Sequence, residues 1–498
     1  MHPALGSTYA LVHARHQPQA LAVHDLATGQ RLTYLDLAAT ALTLQQYWRA
    51  QGVAPGDRIA VLADNHPALL VLFSACQALG AVLVPLNTRL AAQELGTLLA
   101  ATQPRCLYHS SAWATLAQSL ADGPSLEPLE PLLGLPRSET LPEAPPHGPQ
   151  QPLMLLFTSG STGAPKGVVY THGMLYYNAL NTHERFGLGA ADVALHLMPP
   201  FHTGGWHVLP TPTLFAGGAL RLLPRFEAGP VLAALTDPAV STAMLVPTMC
   251  RILTEDPAWP AAGLGHLRFL VVGGEALPVP LIETWHAKGV AIRQGYGLTE
   301  AGPGITSLPA EDTLRKRGSI GTPNRHVQVR VVAEDSNPCP QGTPGELQLC
   351  GPVVTPGYWQ NPEATAAAFT PDGWLRTGDV VTCDPEGYYY VVDRIKHLYI
   401  SGGENVYPAE VEAALRHYPG LADIGIVGVP DLQWGEVGVA FLVWHGPGAF
   451  DWEALRAWAK DRLASYKLPK RYHLVEDLPL GASGKIDRQA LKRRALEG

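Results

Sequence analysis

Apolar residues recur along Leu35–Gln51 at the three- and four-residue spacing of a helix that buries one face. Short apolar runs at Arg58–Leu62 and Ala81–Val84 carry the pattern of buried strands, and helical and strand patterns keep alternating down the chain. That alternation predicts α/β layers built on largely parallel sheet. The uncharged stretch Ala68–Leu86 approaches the length of a membrane span, but Gln77, Gly80 and Pro85 interrupt it. A buried helix feeding a buried strand across Gly80 is the better fit, and no integral membrane segment is expected.

A Pro-rich linker, Pro142 to Pro152, leads into the strand Leu153–Thr158, and alternation resumes as far as about Gly321, with Phe269–Val272 as another strand. Val327–Gly351 has alternating strands and turn residues, predicting a small antiparallel or barrel-like subdomain. After the strand Tyr388–Val392 a boundary is expected at Arg394-Ile395-Lys396. Residues 1–394 then form a large domain of layered α/β sheets with the small β-barrel-like subdomain, and 395–498 a small α+β domain. The second holds a charged helix (Ala409–Arg416), a strand (Ile424–Val429), a helix (Trp452–Ala464) and a basic surface helix after Lys485.

Composition narrows the function classes. Hydrophobic residues make up 46% of 498 and charged ones 16%, a globular balance. A net charge of −8 argues against a nucleic-acid partner, which rewards a basic face. The cysteines Cys76, Cys106, Cys250, Cys339, Cys350 and Cys383 lack metal or redox spacing and read as buried, reduced thiols. Met1-His2-Pro3-Ala4 does not begin a secretion signal, so a cytoplasmic protein is expected.

Chemistry enters at Thr158-Ser159-Gly160-Ser161-Thr162-Gly163-Ala164-Pro165-Lys166-Gly167, a hydroxyl- and glycine-rich loop after a strand, with one lysine. Glycines let amide N–H groups converge, hydroxyls add donors and lysine adds charge, a set suited to a polyphosphate. The spacing matches neither the Walker loop nor the G-x-S-x-G serine elbow. A flexible linker is the alternative, disfavoured because a buried-type strand bounds the run. Here the chain resembles the adenylate-forming superfamily of acyl-CoA synthetases, nonribosomal adenylation domains and luciferase, whose equivalent loop holds the β- and γ-phosphates of ATP.

Further motifs follow in that family's order. In Gln294-Gly295-Tyr296-Gly297-Leu298-Thr299-Glu300 a ring, a hydroxyl and a carboxylate fall within five positions, suited to adenine, phosphate and Mg²⁺; a turn with a capping threonine is the alternative. The resemblance implies those roles, and makes Gly274, Glu275 and Ala276 the wall beside adenine. It makes Asp379 and Arg394 ribose contacts, Lys396 the hinge about which a mobile small domain turns, and Ser401-Gly402-Gly403 part of the coenzyme A channel. Lys485, in Gly481-Ala482-Ser483-Gly484-Lys485, matches the family's adenylation lysine. Exposed charged loops and tight turns are the alternatives at these positions.

His202, in Phe201-His202-Thr203-Gly204-Gly205-Trp206, replaces the aspartate of amino-acid-activating relatives, so an α-amino acid would lack its counter-charge. His196, His202 and His207 do not have the spacing of a helical zinc pair. Gly205, Trp206, Gly274, Gly297 and Met244–Met249 are candidates to line the acid site; Trp206, Gly205 and Met244–Met249 fit a core equally well. The expected activity is ATP-dependent formation of an acyl-adenylate and then acyl-CoA. The chain runs 13 residues past Lys485, so no carrier domain is expected and the thiol is coenzyme A. Glu311–Ser319 and the Gly402-Gly403 run look most like bacterial fatty-acyl-CoA synthetases. A medium- to long-chain fatty acid is therefore the first expectation, an aryl or other acid including succinylbenzoate the second, and a non-catalytic nucleotide-binding relative the third. Homodimerisation is left open.

Overall fold

The computed structural model describes residues 2–120, 123–138, 140–141, 146–158, 165–275, 277–401, 404–460, 463, 465–481 and 485–497. They form two compact units. One comprises Met1–Val329 with Leu349–Arg376, the other Arg330–Gln348 with Thr377–Gly498. The division thus falls at Arg376, ahead of the expected hinge, and takes in part of the predicted subdomain.

Two sheets organise the first unit. In one, parallel strands run in the order Ser125–Pro128, Cys106–His109, Arg58–Leu62, Val82–Pro85 and Pro152–Thr158, closed by antiparallel Lys166–Thr171. The other is parallel from Leu21–Asp25 through Ala219–Leu222, Val193–His196, Thr242–Leu245 and Phe269–Val272 to Ile292–Tyr296. Short antiparallel strands finish both of its edges. One core lies between the two sheets, filled by helices Tyr34–Ala50, Pro67–Leu79 and His172–Phe186. Outer clusters back each sheet.

Local chemistry sets the helix ends. Thr33 Oγ1 accepts from Asp36 N at 3.1 Å while Asp36 Oδ2 accepts from Thr33 N at 2.9 Å, a reciprocal cap that starts Tyr34–Ala50. Pro67 opens the next helix, where its missing N–H costs nothing. Gly80 ends it with φ +80, a conformation side chains resist, and the chain turns straight into Val82–Pro85. Every residue of Pro67–Leu79 is buried, so the apolar stretch is core, and among the described residues no helix is long and apolar enough to cross a membrane.

In the second unit, Ile424 and Ile426 face helices Pro408–Leu415 and Trp452–Lys460. Val427 and Val429 face helix Arg488–Glu497. Period-two alternation thus gives one sheet two cores. The predicted basic surface helix buries Leu491 and Ala495 on its inner side. The expected antiparallel subdomain is a four-stranded sheet of Gln328–Val332, Gly345–Cys350, Leu375–Cys383 and Tyr389–Arg394.

Candidate active site

Thr158 and Lys166, which flank the glycine-rich run, stand opposite each other in antiparallel register. Ser159, Gly160, Ser161, Thr162 and Gly163 lie outside the described residues. Lys166 is half-buried, its Nζ 5.2 Å from the centroid of the Tyr358 ring. A side chain at Gly167 would press on the Phe157 ring and on Trp359 Cβ, so glycine lets the segment Thr355–Trp359 lie against this strand. Trp359 N donates to Gly167 O at 2.7 Å and Val169 N to Gly357 O at 3.1 Å.

That segment also reaches the second motif. Thr355 N donates to Glu300 O at 2.7 Å, and Tyr358 Oη donates to Glu300 Oε1 at 3.0 Å. Burial, and then the Glu300 charge, raise the Tyr358 pKa well above its ordinary value, so the phenol stays a donor. Lys166 and Glu300, 134 positions apart, are therefore gathered around one tyrosine ring.

Tyr296 ends the strand Ile292–Tyr296, paired to Thr306, and the turn between them carries Gly297, Thr299 and Glu300. A Cβ at Gly297 would run into the Pro303 carbonyl. Gly295, half-buried, pairs with Ser307. Gln294, by contrast, is only 2% exposed, and its Oε1 has no partner among the described residues. A sequence-based role on the nucleotide would need that buried amide to reach it. Gly273 packs its backbone on Gly295, where a Cβ would sit 3.1 Å from the carbonyl. Gly274 has φ +89, and Glu275 beside it is exposed. Ala276 lies outside the described residues.

Asn178 connects this turn to the segment that follows His202. Its Oδ1 accepts from Gly304 N at 3.0 Å and its Nδ2 donates to His207 O at 2.5 Å. His202 is half-buried at the head of the same loop, its ring 4.6 Å from that of Phe201. Gly205 is required by packing, since a Cβ would strike the Pro199 carbonyl. Trp206 is 2% exposed, gives its indole N–H to Pro200 O at 2.5 Å and lies 5.3 Å from the Phe73 ring. It is thus packed in the core between the Pro200 turn and Phe73. Gly204 faces Met244, and Gly274 faces Val246, at 3.2 and 3.8 Å from where a Cβ would stand. His196 and His207 are buried, and burial pushes their pKa values down to about 4 and about 3. Both are neutral, and among the described residues no three His, Cys, Asp or Glu side chains form a metal cluster.

Within the second unit, Asp379 and Arg394 pair across neighbouring strands. Lys396 is exposed, yet partial desolvation, then Arg394, depress its pKa; Asp379 opposes and Lys485 adds to the depression. These four charges are therefore neighbours. Lys485 is exposed; its carbonyl accepts from Gly481 N, and Asp487 N donates to Pro479 O, each at 2.7 Å. Asp393, buried, accepts from Arg394 N at 2.6 Å, Ala409 N at 2.7 Å and His397 Nδ1 at 3.3 Å. It fastens the expected hinge to the start of the following helix. Ser401 is buried and pairs with Glu404, while Gly402 and Gly403 between them lie outside the described residues.

Tyr358, Asn178 and Asp393 were not singled out by sequence. For Tyr358 the signal available was the turn-forming Pro356-Gly357 ahead of two aromatic residues.

Comparison with known proteins supplies the context. The family model described as AMP-binding enzyme matches residues 11–359, and the AMP-binding enzyme C-terminal domain matches 410–485. The chain is 41% identical to a feruloyl-CoA synthase of Amycolatopsis, over 98% of this chain and 99% of that one. It is 33% identical to a long-chain-fatty-acid–CoA ligase of Mycobacterium tuberculosis, over 96% of each. Among solved structures it resembles o-succinylbenzoate coenzyme A synthetase of Bacillus subtilis in complex with ATP and magnesium ion. There the TM-score is 0.87 at 31% identity, covering 98% of this chain and 99% of that one.

Proposed function

The chain belongs to the AMP-binding enzyme family and is an AMP-forming carboxylic acid–CoA ligase, and from that premise we propose that its acid is aromatic. The observation that carries the placement of the chemistry is the convergence of Lys166 and Glu300 on Tyr358, with Asn178 joining the His202 loop to the same turn. A carboxylate is a poor electrophile because oxide would have to leave. Attack of an acid oxygen on the α-phosphorus of ATP expels pyrophosphate, and the thiol then attacks the acyl carbon and expels AMP.

In this reading Thr158, Lys166 and the loop Ser159–Gly163 bind the β- and γ-phosphates. Tyr296 stacks on adenine beside Gly274–Ala276, and Asp379 and Arg394 take the ribose. Lys485 draws the acid carboxylate and α-phosphate together, offsetting the repulsion of two anions. Lys396 is the hinge, and Ser401–Gly403 line the coenzyme A path. Mg²⁺ fits Glu300: this ion takes one or two carboxylates and completes its shell with phosphate and water, and Glu300 is an acidic oxygen donor outside any larger cluster among the described residues. When bound, Mg²⁺ supplies charge neutralisation at the pyrophosphate.

One feature favours an aryl acid over the fatty acid expected from sequence: the relative at 41% identity bears the name of a feruloyl-CoA synthase.

Pyrophosphate release across ferulate, succinylbenzoate and saturated fatty acids of graded length tests this. The aryl reading expects kcat/KM for a hydroxylated aryl acid to exceed that for every fatty acid by at least about tenfold. A fatty acid as best substrate would replace it, and no turnover of any acid would remove the ligase reading.

A further inference from the structure

Resting on that reading, we propose that Tyr358 is a positioning residue for the triphosphate end of the nucleotide, orienting the Glu300 carboxylate through its hydroxyl and parking the Lys166 ammonium on its ring.

Its backbone is pinned on three sides. Thr355 Oγ1 donates to Val169 O at 2.7 Å, Trp359 N to Gly167 O at 2.7 Å, and Tyr358 N to Thr365 Oγ1 at 2.9 Å. Gly357, at φ +143, allows Thr365 to press against the chain where a Cβ would collide with it. Tyr358 thus presents a fixed ring. Glu300, by contrast, sits on a single turn of 3-10 helix with three side-chain torsions of its own. The 3.0 Å bond from Tyr358 Oη selects among its rotamers and commits Oε1 to the phenol, which fixes the direction of the rest of the carboxylate. The Lys166 ammonium near the ring face is held more weakly than it would be by a phosphate. Lys166 is therefore kept close yet free to transfer to an arriving anion.

The test is ATP binding to the full chain, measured by titration calorimetry with Mg²⁺ and again in EDTA, for wild type, Tyr358→Phe, Glu300→Gln and the double variant. Tyr358→Phe keeps the ring and the backbone bonds. It is expected to weaken ATP binding about tenfold with Mg²⁺ and less than twofold in EDTA. In the Glu300→Gln background the same change should add less than twofold, since the phenol acts through that carboxylate. Equal weakening with and without Mg²⁺, or additive losses in the double variant, would overturn the proposal. Should Tyr358→Phe fail to fold, Glu300→Gln with Tyr358 intact reports the same bond from its acceptor, and loss of Mg²⁺ dependence there is the expected result. Its retention would count against the role. Wild-type protein that binds no ATP in either condition would instead remove the ligase reading itself.

Discussion

Asp379 and Arg394 stand directly opposite one another on adjacent antiparallel strands, with the arginine Nε 2.7 Å from Asp379 Oδ1. The carboxylate is buried and the guanidinium about half exposed, so the pair orients Asp379 while leaving Arg394 able to reach a ligand. Arg394→Gln is expected to raise KM for ATP about tenfold and to change KM for the acid less than threefold. Steady-state pyrophosphate release measures both, and parallel increases would argue against a ribose role.

Lys485 and Lys396 belong to different half-reactions in this account. Lys485→Ala should abolish adenylate formation while largely sparing coenzyme A transfer from a supplied acyl-adenylate. Lys396→Pro should do the reverse, because the ring fixes φ between Ile395, bonded to Gly378 O, and His397, bonded to Arg394 O. Single-turnover assays of each step decide it; equal loss of both steps in either variant contradicts the assignment.

Gly304 is a packing constraint on the acid side. A Cβ there would stand 2.8 Å from Asn178 Oδ1, the atom that accepts from Gly304 N. Gly304→Ala should cost about 1–3 kcal/mol and raise KM for the acid, by pushing Asn178 off His207 O. Denaturant unfolding and acid titration would show both effects; an unchanged midpoint would mean the site relaxes freely.

Acid should destabilise the protein through its buried histidines. Burial lowers His172 and His207 to about 3 and His196 to about 4, below the ordinary 6.5. The fold holds these rings neutral, so unfolding takes up protons. Their contribution is intact above about pH 6.5 and is lost as pH falls through the window from there to about 3–4, at about 1.4 kcal/mol per unit and ring. Neither ring nitrogen of His172 has a partner among the described residues, so Phe can replace it without orphaning a bond. Between pH 7 and 5, His172→Phe should lose about 2 kcal/mol less than wild type. An identical pH profile would contradict this.

The strands Arg58–Leu62 and Phe269–Val272 were legible because burial on both faces writes a continuous apolar run into the chain. Gly80 was legible because a residue at positive φ all but demands glycine. The glycine-rich run after Thr158 and the Glu300 turn announced themselves through their side-chain chemistry. The groups that join them did not. Asn178 and Tyr358 act across 126 and 58 positions, and no local periodicity encodes a hydrogen bond between distant segments. Trp206 illustrates the converse, for a large aromatic suits a pocket wall and a core alike, and its bond to Pro200 O and contact with Phe73 are written nowhere in the local sequence. Of the cysteines read as buried, Cys76, Cys106 and Cys250 are so, whereas Cys339, Cys350 and Cys383 are half-buried. The latter three lie on or beside the thinner four-stranded sheet, whose outer face sequence could not assign.

Oxygen transfer reports most directly on the central claim, that an acid oxygen is delivered to the α-phosphorus. With the acid labelled by ¹⁸O in both carboxyl positions, turnover with ATP and coenzyme A should yield AMP carrying one labelled oxygen, and unlabelled pyrophosphate. Label recovered in orthophosphate alongside ADP, or AMP without label, would contradict it.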